Sequence, residues 1–202
     1  MHFLEELKSF DIILASQSKR RQELMASAGI PFRALTTNSS EEFPDGLLPQ
    51  DVAMMLARRK AEAISQELHN EKTVIIAADT IVVFQGKILN KPSGYEHAKT
   101  MLTSLSGQMH KVITGVCIAH QNTFRGIYET TLVYFKELSG QEIDYYLTNF
   151  RPYDKAGSYG IQEWIGLTGV NRIEGSYTNV VGLPVERVIT ELKNLLFGAE
   201  VK

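Results

Sequence analysis

Apolar positions along this chain follow two rhythms, and the switches between them mark its elements. Asp11-Ile-Ile-Leu-Ala-Ser16 reads as a short buried strand. After Gln17-Ser18 the spacing changes, and Leu24, Met25 and Ala28 line one stripe of a helix over Lys19–Ala28 that Gly29 stops. A loop rich in Thr, Asn, Ser and Glu (residues 36–46) leads to a second helix, predicted from Pro49 to Leu68 with Val52, Met55, Leu56, Ala63 and Ile64 as its apolar face. Thr73–Phe84, TVIIAADTIVVF, is rich in residues that suit a pleated surface and ends at the turn-like Gln85-Gly86, so it is predicted to be a strand buried on at least one face. Ser93-Gly-Tyr-Glu96 has the capping-box pattern and opens a helix whose Ala98, Met101, Leu102 and Leu105 recur at helical spacing before Gly107. Residues 110–120 and 124–136 form a predicted hairpin around Gln121-Asn122-Thr123, and Ser139–Asn149 a further capped helix. The stretch 151–183 is rich in Gly, Tyr and Asn. A last helix begins near Pro184, with Val188, Ile189, Leu192 and Leu196 as its stripe.

Early alternation of strand and helix, followed by a hairpin, predicts an α/β fold with a mixed, twisted β-sheet flanked by helices. No linker, low-complexity run or internal repeat interrupts the chain. Residues 1–202 are therefore expected to form a single domain, and any two lobes within it to share a sheet or a cleft. Apolar residues make up 44% of the chain and charged residues 22%, an ordinary globular composition that can fold alone. A net charge of −2 gives no global footprint for a nucleic-acid polymer or an anionic membrane, so an anionic ligand must meet a local cluster.

Asp79 is the residue that disturbs its strand. An ionised carboxylate in such surroundings is costly unless cations, donors or a metal compensate it. Four constellations are candidates for that chemistry. In Ser16-Gln-Ser-Lys-Arg-Arg21, Ser18 as N-cap would place Lys19, Arg20 and Arg21 in the first helical turn, where the helix dipole disfavours cations. Such a start suits a phosphate, which would meet free N–H groups, hydroxyls and arginine forks; a solvated helix face paired with Glu23 is equally compatible. Lys60 in LARRKAEA lies about 40° from Leu56 at helical pitch, at the edge of the apolar stripe; spacing alone favours a lysine covering the core with its stem over one reaching inward. Lys87 and Lys91 follow Asp79 after a turn, Lys87 as an exposed hairpin residue and Lys91 close enough to return. Finally, Lys155-Ala-Gly-Ser-Tyr-Gly-Ile-Gln162 has glycines that permit close backbone approach and a Gln that can read a base edge, although such a segment also serves as a plain turn. Glu41-Glu42 offers oxygen ligands for a hard cation, or merely a surface acidic pair.

Other chemistries lack their motifs. There is no G-x-x-x-x-G-K-[ST], no G-x-G-x-x-G, no G-x-S-x-G and no H-E-x-x-H, which disfavours P-loop enzymes, Rossmann dehydrogenases, serine hydrolases and zincins. Histidines at 2, 69, 97, 110 and 120 have no ligand spacing, and the single Cys117, in KVITGVCIAH, is expected in the core. Glu5 and Glu6 stand where a signal peptide would need basic residues, and no long apolar run occurs, so a cytoplasmic protein is expected; the sequon at Asn38 is then a chance match.

Together these segments resemble the Maf family of nucleoside triphosphate pyrophosphatases. The resemblance runs from about residue 12 to 190 and is carried by LASQSKRRQELMASAGI (family pattern L-A-S-x-S-P-R-R-x-E-L-L), LARRKAEA, AADTIVV, GKILNKP, LSGQMHKVITGV, DKAGSYGIQ and GSYTNVVGLP. Lys19 replaces the usual proline, Asn90 a common glycine, and Gln108 a frequent arginine; losing the proline removes preorganisation but leaves the anion site. The resemblance implies a two-lobed, Maf/ITPase-like α/β fold with its site in a central cleft, commonly a homodimer. The implied reaction is hydrolysis of a nucleoside triphosphate to the monophosphate and pyrophosphate. Asp79 would accept the proton of the attacking water, or orient a metal-bound water; Arg20, Thr80 and Gln162 would set substrate specificity. Arg21, Lys60 and Lys91, with Ser16, would hold the phosphates, and Glu41, with Asp79, would position Mg²⁺ or Mn²⁺. DKAGSYGIQ is similar to the dTTP/UTP branch rather than the 7-methyl-GTP branch, which implies pyrimidine triphosphates, including modified ones removed in a house-cleaning role. The alternative it leaves is a non-catalytic nucleotide-binding regulator linked to cell division.

Overall fold

The computed structural model describes residues 2–36, 38–68 and 70–198, apart from the His2 side chain. Met1, Thr37 of the expected loop, His69 and residues 199–202 of the expected single domain lie outside the described residues. The helices are α1 (His2–Leu7), α2 (Lys19–Ser27), α3 (Pro49–Ser65), α4 (Tyr95–Leu105), α5 (Gly140–Phe150), α6 (Trp164–Gly169), α7 (Tyr177–Val181) and α8 (Val185–Phe197), with a 3-10 turn at Ala156–Ser158. The strands are β1 (Asp11–Ala15), β2 (Arg33–Leu35), β3 (Thr73–Phe84), β4 (Lys87–Leu89), β5 (Met109–His120), β6 (Thr123–Phe135) and β7 (Val170–Glu174). They hydrogen-bond in the order β2-β1-β3-β5-β6-β7, with β4 on β3. β1 runs parallel to β2 and β3, whereas β3–β4 and β6–β7 are antiparallel, so the sheet is mixed as the pattern predicts. The chain divides into two compact units. The first comprises residues 1–79, 114–129 and 182–202; the second comprises 80–113 and 130–181.

In the first unit both faces of the sheet are covered, which is why its strands read as continuous apolar runs. Ile12 and Leu14, Val74, Ile76 and Ala78, and Val116 and Ile118 pack with Met25 of α2 and Val188 and Leu192 of α8. Ile13 and Ala15, Ile75 and Ala77, and Cys117 and Ala119 pack with Ala57, Ala61 and Ile64 of α3. Alternate residues of a strand point to opposite faces, so odd-numbered positions of β1, β3 and β5 face α3. That face is built largely from alanines, and Gly115 of β5 shares its parity. A Cβ on Gly115 would overlap the backbone of Ala53 and Met54, so α3 lies against bare strand backbone, closer than side-chain ridges would permit. Cys117 is buried in this layer, and burial pushes its thiol up to about 11.

The second unit is held by α4 and α5 and by the aromatic contacts of His110. Ala98, Met101, Leu102 and Leu105 form the buried stripe of α4, and Ile143, Tyr146 and Leu147 that of α5. Ser139 and Glu142 form a reciprocal capping box at the start of α5, and Lys136 also donates to Glu142 at 2.7 Å; these bonds, Lys136 first, hold the Glu142 carboxyl down at about 2. His110 shares a 2.7 Å hydrogen bond through Nε2 with Tyr159 Oη and meets Phe135 and Tyr159 edge-on. Burial pulls its pKa down to about 4.

Several boundaries differ from the periodicity. The second helix ends at Ser65 rather than Leu68, because Gln66 caps it and Glu67 N–H turns back to Ile64 O in a tightened last turn. The Ser93 capping box does not form: Gly94 is the N-cap of α4, and Ser93 N and Oγ both lie 3.2 Å from His97 Nδ1. Stretch 151–183 contains α6, β7 and α7 as well as turns, and α1, β2 and β4 are additional short elements. Pieces of three to six residues are too short for a period to emerge.

Candidate active site

In the first unit the loop after β1 is fastened around one buried hydroxyl. Ser16 Oγ accepts from Ser18 N at 3.2 Å and from Arg21 Nη1 at 3.3 Å. Ser18 is the N-cap expected of it: its Oγ accepts from Arg21 N, which sets Lys19, Arg20 and Arg21 in the first turn of α2. Arg21 also donates through Nε to Gly182 O at 2.7 Å, tying the turn before α8 to the start of α2. Residue type does not single out Gly182, since its contribution is a backbone carbonyl that any residue possesses.

Asp79 closes this unit's share of β3. Its odd parity directs it to the α3 face, beyond Ile75 and Ala77, and there it meets Lys60, whose Nζ donates to Asp79 Oδ1. The pair is largely withdrawn from water, with side chains 16% and 13% exposed. Lys60 therefore reaches inward, against the reading that spacing alone favours. It stands between Ala57 and Ala61 on a helix brought close by Gly115, which shortens the distance its stem must cover. Arg58 turns outward to Glu62 at 2.7 Å, and Arg59 donates to the Glu42 carbonyl.

One guanidinium senses the whole group. Burial lowers the Arg21 pKa, Asp79 and Glu41 oppose that shift, and Arg20 adds to it. Ser16, Arg20, Arg21, Glu41, Lys60 and Asp79 are thus brought within one electrostatic neighbourhood, with Glu41 on an exposed loop. Among the described residues no group of three or more His, Cys, Asp or Glu is placed to hold a metal by itself. Asp79 and Glu41, whose charges both act on Arg21, are carboxylates, the donor type of which a Mg²⁺-like ion takes one or two beside substrate phosphates and water.

Thr80, Lys91 and Gln162 belong to the second unit. Thr80 continues β3 with the opposite parity to Asp79 and is half-buried; Lys91 is exposed after β4, as is Lys87 at its start. Gln162 is exposed at the tip of a turn closed by Glu163 N donating to Gly160 O at 3.0 Å. Gly157, at φ +69°, occupies a left-handed conformation against Val82, where an added Cβ would sit 3.0 Å from the Val82 methyls. No helix among the described residues is long and apolar enough to cross a membrane.

A family model described as Maf-like protein matches residues 11–195. The dTTP/UTP pyrophosphatase of Porphyromonas gingivalis strain ATCC 33277 is 49% identical over 193 residues, 95% of this chain and 97% of that protein. Those of Cytophaga hutchinsonii and Phocaeicola vulgatus are 46% and 48% identical, covering 99% and 95% of this chain and 90% and 100% of their own length. Among solved structures, the Staphylococcus aureus Ham1 protein superposes with a TM-score of 0.53 at 11% identity, covering 91% of this chain and 98% of its own, a likeness of fold alone.

Proposed function

Since the chain belongs to the Maf family, we propose that it is a nucleoside triphosphate pyrophosphatase that hydrolyses dTTP and UTP to the monophosphate and pyrophosphate. The observation that carries this reading is the Lys60–Asp79 pair, a carboxylate held largely out of water beside the cationic start of α2. A regulator that only held a nucleotide would need the cations; it would not need a withdrawn carboxylate, which repels phosphate.

In this mechanism a water adds across the α–β phosphoanhydride and Asp79 accepts its proton. Lys60 keeps the carboxylate oriented and favours its ionised form, the one that can accept a proton. Arg21, already oriented by Ser16 and Gly182, presents its guanidinium and the first-turn backbone of α2 to phosphate oxygens. Arg20 adds charge beside it and reads the substrate. Lys91 neutralises a further phosphate, and Thr80 and Gln162 select the pyrimidine. A divalent ion, held by Glu41 with Asp79, would polarise the phosphate oxygens and stabilise the departing pyrophosphate charge. The protein works in the cytoplasm, where nucleoside triphosphates are made and spent, and as a homodimer; modified pyrimidine triphosphates belong to its substrates.

Purified protein with Mg²⁺ or Mn²⁺ is offered dTTP, UTP, dCTP, purine triphosphates and modified pyrimidine analogues, and pyrophosphate release is measured. Turnover concentrated on uracil and thymine nucleotides is the expected result. Absence of release from the whole panel overturns it.

A further inference from the structure

The turn that carries Gln162 is built far more firmly than a surface turn requires. Gly160 N donates to Tyr146 Oη at 3.0 Å, Tyr146 Oη donates to Glu163 Oε2, and Glu163 N donates back to Gly160 O at 3.0 Å. These three bonds close a ring behind Ile161 and Gln162. The ring is anchored further by Lys155, whose Nζ lies 3.1 Å from Glu163 Oε1 with only 10% of its side chain exposed, and whose second partner is the exposed Asp154 at 2.8 Å. Ile161 is 4% exposed and plugs the turn into the core, whereas Gln162 is left outside.

Two glycines make the arrangement possible. A Cβ on Gly160 would stand 2.8 Å from the Glu163 carboxyl carbon, and one on Gly166 would overlap the Ile161 carbonyl. Glu163 O then accepts from Gly166 N and Leu167 N at 2.9 and 3.2 Å, so the same residue that closes the ring opens α6. Burying a lysine, a carboxylate and a tyrosine hydroxyl together costs desolvation that packed apolar side chains would not incur. What the network does secure is position, the quality that a recognising side chain needs from the shell behind it.

The chemistry of the base explains why position matters here. Uracil and thymine present an acceptor at C4 and a donor at N3; cytosine presents the reverse. A glutamine amide satisfies either order by rotating its last torsion, so choosing between them requires that its approach be fixed.

We propose that Tyr146 and Glu163 are positioning residues that set base selectivity by holding the turn that presents Gln162. This rests on the reading of Gln162 as a base-selecting residue. The full-length protein is compared with Tyr146→Phe, Glu163→Gln, Gln162→Ala and the double variant Tyr146→Phe/Gln162→Ala, with kcat and KM determined for UTP, dTTP and dCTP. Tyr146→Phe keeps the ring volume and removes only the hydroxyl, and Glu163→Gln serves where it fails to fold. The expected result is a fall of about tenfold in preference for dTTP over dCTP, expressed mainly in KM, with no further fall when Tyr146→Phe is added to Gln162→Ala. Faster hydrogen exchange at the Gly160 amide accompanies it. If Gln162→Ala abolishes the preference while Tyr146→Phe and Glu163→Gln leave it intact, the positioning role is overturned and the role of Gln162 stands. If Gln162→Ala itself leaves the preference intact, both fall, while pyrophosphate release still decides whether the protein is a hydrolase.

Discussion

The two units place their candidate functional side chains in different ways. In the first, Asp79 and Lys60 are delivered by regular elements: strand parity chooses the face, and a helix packed through alanines and Gly115 brings the amine within reach. In the second, Gln162 projects from a short turn whose shape is fixed by a tyrosine hydroxyl, a buried ion pair and two glycines. Regular elements position a group through many weak, repeated contacts. A turn must do so through a few specific ones, and each of those is correspondingly exposed to mutation.

The largest effect is expected at Asp79, on the regular elements of the first unit. Asp79→Asn is expected to lower pyrophosphate release by about 10²–10⁴-fold while nucleotide binding, read by equilibrium dialysis, survives. A variant that keeps full turnover would return the protein to the regulator reading. Next in size is the contact that lets α3 approach the sheet. Gly115→Ala must push Ala53 away, so we expect about 3 kcal/mol or more of lost stability in urea denaturation, with reduced turnover as Lys60 withdraws from Asp79.

The second unit is probed through His110. Its pKa is about 4 when folded and about 6.5 when unfolded, so the unfolded chain binds the extra proton across that window. Stability is therefore fully present above about pH 6.5 and is lost as pH falls toward 4, by on the order of 2–3 kcal/mol; the loss should be absent in His110→Gln. Glu142, held down at about 2, acts lower: its contribution is present above about pH 4.5 and disappears as pH falls toward 2, so denaturation curves between pH 4.5 and 7 isolate the histidine. The smallest effect is expected at Gly126 of β6, where an added Cβ meets nothing. Gly126→Ala should stabilise by about 0.4–1 kcal/mol, and a thermal scan beside Gly115→Ala separates lost space from lost chain entropy.

Legibility follows the same division. The Thr73–Phe84 strand, the Lys19 helix with its Ser18 cap and the α4 stripe can all be read from period alone, because their side chains repeat against a continuous layer. The charge of Asp79 announces a site for the same reason: it interrupts a period. Lys60 cannot be assigned from its helix, since its direction depends on the alanine and glycine layer contributed by three other segments. Within 151–183, Lys155 and Gln162 stand out by type, but the ring through Tyr146 and Glu163 joins residues 14 to 17 positions apart, and no local spacing signals it. The Ser93 box fails for a related reason, as the nearby His97 offers its ring nitrogen to the same serine.

Cys117 has a practical consequence. It is the only thiol in the chain, it lies in the layer that brings α3 down onto the sheet, and burial holds it at about 11. At pH 8 about one molecule in a thousand carries a thiolate there, and that one is sealed beneath α3. A thiol reagent will therefore label the protein only as fast as the layer opens. Labelling time courses with and without nucleotide then become a clock for α3 leaving the sheet, ticking at the helix that carries Lys60.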